Sequence, residues 1–182
     1  GICGSGILDA VAQLYLAGVL NRGGRMDLHA GVRVEQEQRE FILVPGEEGS
    51  DRPAVTITQK DVRQIQLAKG AIRTGIQLLL QSKGLSEGDI DEVIIAGAFG
   101  TYIDVGSAIT IGMLPDIPHD RFRQVGNAAG RGATLALVSR EKRHEAHAMA
   151  RKVGYIELAS SPDFMNIFTQ AMYLGPYREE KG

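Results

Sequence analysis

The chain has 182 residues, 43% of them hydrophobic and 23% charged, with a formal net charge of -2. That is enough apolar material for one packed domain or two small lobes, while the balanced charge offers no field to gather nucleic acid or an anionic membrane surface. No apolar run nears the roughly 20 residues of a membrane span. With Cys3 as the single cysteine and four scattered histidines, a disulfide framework, a four-cysteine iron–sulfur cluster held within the chain and a zinc site built by spacing are excluded. Cysteine usage reads as a reducing, cytoplasmic compartment.

The first residues, Gly1 to Gly6, form a glycine-rich turn with no strand and no initiator methionine before it, which reads as the start of a fragment. Ile7, Leu8, Val11, Leu14 and Tyr15 follow at helical spacing. Ser5 is the expected N-cap, and the helix is expected to end near Ala17-Gly18 or at Asn21. Val32 and Val34, then Phe41 to Val44, then Val55 and Ile57 read as short strands. A turn-rich loop over 45–51 separates the last two. Thr58 with Asp61 three residues on opens a long helix in the manner of a capping box, and Gly84 is placed to close it. Val62, Ile65, Ile72, Ile76, Leu79 and Leu80 are its expected buried stripe.

Val93 to Ala96 is apolar enough for a central strand buried on both faces, and it runs into Gly97-Ala98-Phe99-Gly100. A second strand near Phe122–Val125 runs into the glycines of 126–132, and one helix is expected over about 133–152. Strand, glycine turn and helix, twice over, is the punctuation of an α/β fold. Ser161-Pro162-Asp163 is the expected start of a last helix with an apolar stripe of Phe164, Ile167, Phe168, Ala171 and Met172. That stripe reads as core.

Glycine turns that feed helix starts let a backbone approach phosphate closely and offer it unpaired N–H groups; a plain tight turn is the other reading of each. No segment has the P-loop spacing. The dinucleotide fingerprint also fails, because Asp9 stands where its last glycine belongs. Glu141-x-x-His144, with His147 a turn on, lacks the complementary carboxylate helices of a di-iron site. Arg140, Lys142 and Arg143 read as a solvated face, with a partner patch as the other reading.

Val93 to Gly100 resembles the adenosine turn of the superfamily of acetate and sugar kinases, heat-shock chaperone ATPases and actin. The ordered set is more specific. Gly1-Ile2-Cys3-Gly4-Ser5-Gly6-Ile7-Leu8-Asp9-Ala10, Ile57 to Gln64, Ala96 to Gly100 with Tyr102-Ile103-Asp104, Ile111-Gly112-Met113-Leu114-Pro115 and Val125 to Gly130 resemble the C-terminal actin-like ATPase domain of reductive activators of corrinoid proteins. The resemblance implies a partial actin-like, ribonuclease H-like α/β lobe with a small inserted β-containing subdomain. The core lobe is expected over 1–30 and 93–182, and the insert over 31–92 with its long helix at 58–83. Upstream domains are expected to be missing.

It also implies a function: ATP-dependent return of an oxidised cobalt(II) corrinoid protein to cobalt(I), with a two-iron, two-sulfur cluster in the missing N-terminal domain. The expected ligand is ATP with magnesium, at a site incomplete in this fragment, which alone is expected to be inactive. A docking module with a vestigial nucleotide site, or an activator or kinase from another branch, are the alternatives. The expected partner is a corrinoid protein, with neither nucleic acid nor membrane, and a homodimer is left open. The expected nucleotide contacts are Gly4, Ser5 and Gly6 to phosphate or ribose, Gly97, Ala98 and Gly100 to adenosine, and Lys69 of the long helix. A solvated helix face is the other reading of Lys69. Asn127 either binds ribose or caps the next helix. Asp104 is expected to cap a short helix rather than orient a magnesium water, and Cys3 to be a small buried residue rather than a redox group. No catalytic residue and no protein metal ligand is assigned.

Overall fold

The computed structural model describes residues 1–35, 38–47 and 52–178. Its regular elements are α1 (Gly4–Leu16), β1 (Val32–Glu35), β2 (Gln38–Val44), β3 (Val55–Thr58), α2 (Gln59–Lys83), β4 (Val93–Ala96), α3 (Ala98–Tyr102), α4 (Val105–Thr110), β5 (Phe122–Gly126), α5 (Ala128–Val138), α6 (Arg140–Ala150) and α7 (Phe164–Ala171). Residues 48–51 of the expected 45–51 loop lie outside the described residues.

The three short strands form an antiparallel sheet in the order β1-β2-β3. Its register sets Val32, Phe41 and Ile57 side by side in one apolar row. That row meets the main core, to which α1 contributes Leu8, Val11, Ala12 and Leu14, and the segment around α4 contributes Ile103, Ala108, Ile111 and Met113. β4 and β5 pair in parallel as a separate two-stranded sheet.

Both ends of α2 form as the sequence indicates. The Thr58 hydroxyl accepts from the Asp61 N–H while the Asp61 carboxylate takes the Thr58 N–H, and Gly84 closes the helix in the left-handed conformation at φ 65°. Its buried face differs from the expected one. Ile72 and Leu79 are about half exposed, at 46% and 52%, whereas Val62, Gln66, Lys69 and Arg73 are buried. These four recur at steps of four, three and four, so they form a proper helical stripe, and α7 packs along the helix. Carbonyls just past the end of α7 lack helical N–H partners. Gln66 donates to the Met172 carbonyl at 3.0 Å and Lys69 to that of Tyr173. The polar heads are buried because α7 supplies acceptors for them.

Three boundaries and the setting of one strand also differ from expectation. α1 opens one residue after Cys3, which takes the N-cap position without a side-chain cap, so Ser5 lies inside the helix. The helix expected over 133–152 is two helices, broken at Ser139, which is extended and accepts from the Lys142 N–H at 3.2 Å as the cap of α6. α7 begins after Asp163, which makes no side-chain cap bond, rather than at Ser161-Pro162. β4 is not enclosed on both faces: its residues alternate between half-buried and exposed, and Ile94 is 54% exposed. The last apolar stripe is core at Ile167 and Ala171. Among the described residues no helix is long and apolar enough to cross a membrane.

Candidate functional site

The parallel pair β4–β5 sends two glycine turns off the same end of the sheet. The Gly97 N–H donates to the Gly126 carbonyl at 2.7 Å, tying one turn to the other. Both glycines adopt positive φ, 102° and 63°, which an L side chain resists. A Cβ at Gly100 would lie 2.6 Å from Ile95 Cγ2, so only glycine lets α3 lie this close to β4. Gln124 of β5 fixes α3 from below, donating to the carbonyls of Gly100 at 2.6 Å and Ile103 at 2.9 Å.

The third glycine turn joins them through Phe99. A Cβ on Gly4 would stand 3.3 Å from Phe99 Cε2, so the start of α1 lies against α3. The first N–H groups of α1 have no partner within the helix, and no side chain caps them. Thus Gly4, Ser5 and Gly6 present donors beside the turn that holds Gly97, Ala98 and Gly100. Cys3 is exposed rather than buried. Its Sγ lies 3.4 Å from Ser5 Oγ, and this contact first, then the Gly6 backbone, holds the thiol below its ordinary range.

Asn127 caps α5: its Oδ1 accepts from the Gly130 N–H at 2.9 Å. The capping reading of Asn127 is the one present, and the residue also lines a cavity of about 530 Å³ with Gly130, Arg131, Thr134 and Leu135. Arg131 also lines this cavity and was not singled out from the sequence. It lies four residues after Asn127, one helical turn on, and that spacing was the available signal. Asp104 caps α4, accepting from the Ser107 N–H at 2.6 Å.

Lys69 does not join this group, and its expected contact with nucleotide is corrected by its position. Its side chain is buried, its ammonium donates to the Tyr173 carbonyl, and a Cβ on Gly112 would lie 3.4 Å from its Nζ. It is not on a solvated face either. Burial, then the charges of Arg73 and Arg22, push its pKa down to about 7. Arg73, one turn on, is likewise depressed by burial, to about 10; it binds Glu87 and lies under the Tyr177 ring at 5.0 Å.

Two glycine turns thus leave one end of the parallel pair beside the start of α1. Residues 1–181 match the family described as the C-terminal domain of RACo, the ASKHA domain, and the chain belongs to that family. It is 42% identical over 96% of its length to a corrinoid activation enzyme, RamQ, of Eubacterium limosum, and 26% identical over 97% to a [Co(II) methylated amine-specific corrinoid protein] reductase of Methanosarcina barkeri. Among solved structures it matches a reductive activator for corrinoid, iron–sulfur protein with a TM-score of 0.87 and 38% identity over 98% of the chain. The chain spans 31% of the length of each of these two relatives and 29% of that structure. The mixed α/β architecture is that of the ASKHA-type domain.

Proposed function

We propose that this chain is the nucleotide-binding portion of an ATP-dependent activator that returns a cobalt(II) corrinoid protein to cobalt(I). One observation carries the nucleotide part: the three glycine turns converge, Gly4 against Phe99 and Gly97 on Gly126. The relatives' activities support the corrinoid part. The division into a core lobe of 1–30 and 93–182 and an insert of 31–92 belongs to the same reading, as does a cytoplasmic location.

The residues present fit the phosphates and sugar of a nucleotide. In this reading, the N–H groups of Gly4, Ser5 and Gly6 bind phosphate oxygens. The open backbone at Gly97, Ala98 and Gly100 lies against adenosine. Asn127 and Arg131 contact ribose or phosphate from α5. Bound ATP supplies the free energy that shifts the lobes between two arrangements. Such a shift is limited by the difference in ATP affinity between the two states. Reversing a 1:99 balance needs about a 10⁴-fold difference, roughly 5.5 kcal/mol. An iron–sulfur cluster does not fit this chain, because Cys3 is its only cysteine; in this reading it belongs to the rest of the protein.

The test is cobalt(I) formation by the full-length protein on a cobalt(II) corrinoid protein with a chemical reductant, followed by absorbance. The expected result is a rate that depends on magnesium-ATP and falls at least tenfold in Arg131→Gln. Equal rates with and without ATP would overturn the reading.

A further inference from the structure

A larger cavity than the one at Asn127 lies away from the glycine turns. A volume of about 710 Å³ opens between the 23–26 turn, β2 and the first turns of α2, and four cations line it: Arg25, Arg39, Lys60 and Arg63. Among the described residues no carboxylate lines it. Two nearby acids are engaged elsewhere, Asp61 capping α2 and Glu40 binding Arg33. In a chain of net charge -2, four cations from three separate elements meet here with no counter-charge among the described lining residues.

The frame around them is fixed. Gln59 donates to the Gly24 carbonyl at 2.7 Å and accepts from the Met26 N–H at 2.8 Å. Gln66 donates to the Gly23 carbonyl at 3.1 Å. A Cβ on Gly24 would fall 2.4 Å from Gln66, so the turn is pressed against α2. Arg39 ties β2 to the same turn through one N–H on the Met26 carbonyl and keeps the rest of its five donors. Among the described residues, the side chains of Arg25, Lys60 and Arg63 form no ion pair. Gathering like charges costs free energy even in water, and each of these flexible chains has solvent to turn to. A buried frame that holds their backbones around one cavity makes that cost useful only when an anion enters.

We propose that this cavity is an anion site, separate from the glycine turns, for a compact ligand carrying two or more phosphate groups. Its volume lies in the range of small-molecule pockets. Three guanidinium forks match phosphate oxygens in pairs, and a lysine adds a point charge. Four positive charges call for a ligand of several negative ones, which a single phosphate or carboxylate does not carry. The site is independent of the nucleotide reading above.

Isothermal titration of the full-length protein with sodium tripolyphosphate, without magnesium, tests it. The comparison set is the parent, the double variant Lys60→Gln/Arg63→Gln and, as the marker of the other site, Gly97→Asp, with circular dichroism to verify folding. The parent and Gly97→Asp are expected to bind with similar affinity, and the folded double variant at least tenfold more weakly. Arg25→Gln, whose change lies off α2, is expected to weaken binding in the same direction and serves if the double variant does not fold. Absence of binding by the parent would overturn the proposal, as would unchanged affinity in the folded variants. Loss in Gly97→Asp alone would place the phosphates at the glycine turns instead, and citrate bound as tightly as tripolyphosphate would refute the phosphate class.

Discussion

In the body formed by α1, α2, α4 and α7, a lysine and an arginine are 1% exposed; along β4 and α5, Ile94, Leu137 and Val138 are 54%, 76% and 73% exposed. The helices α5 and α6 pack chiefly on each other and contain no buried residue. The difference teaches that side-chain polarity did not decide burial. Lys69 and Gln66 are buried because the carbonyls after α7 accept their hydrogen bonds, and leucines of α5 face solvent because no described element covers them. Substitutions in the two regions should therefore differ sharply.

The largest effect is expected where the closed body leaves no space. Gly112 has φ 75°, and a Cβ there would lie 2.0 Å from the Gly175 carbonyl oxygen. Gly112→Val should lower stability in urea denaturation by more than about 4 kcal/mol. A small loss there would show that the α4–α7 junction is looser than drawn.

The buried Lys69 gives a pH signature. Its folded pKa, about 7, lies below its ordinary 10.5. Between those values the unfolded chain binds more protons, so stability rises with pH through that window and the gain is lost as pH falls toward 7. The amplitude is on the order of 3 kcal/mol at about 1.36 kcal/mol per unit, discounted for relaxation around the charge. Thermal denaturation from pH 7 to pH 10 should show this rise in the parent and not in Lys69→Met. Equal slopes would mean that the ammonium reaches water.

Smaller effects follow. Thr58→Ala removes the capping box of α2 and should cost about 1 kcal/mol. On the open side, Leu137→Ser should change stability by less than about 0.5 kcal/mol, and a larger loss would show that α5 is covered after all.

The sequence announced those features that are local. The capping box at Thr58 and Asp61, the left-handed Gly84 and the three-strand pattern are set by residues within a few positions of one another, and all are present. The glycine turns were legible because glycine alone tolerates the backbone at Gly97 and Gly126. What pattern reading missed depends on distant partners. The buried face of α2 is chosen by α7, about a hundred residues later, so Ile72 and Leu79 looked better than Gln66 and Lys69 until the acceptors at Met172 and Tyr173 were in place. Arg131 was missed because the glycine run around it drew attention to backbone rather than to side chains. The basic cavity draws on three elements separated in sequence, and no single window contains it.

The most direct test of the nucleotide assignment is calorimetric titration of the full-length protein with magnesium-ATP, comparing the parent with Gly97→Asp and Gly97→Ala. At φ 102° both substitutions carry the same backbone strain, and a Cβ there meets nothing within 4 Å, so the alanine variant isolates strain from charge. The account predicts saturable binding by the parent, weaker binding by the alanine variant and no measurable binding by a folded aspartate variant. A folded Gly97→Asp that binds ATP as the parent does would contradict it.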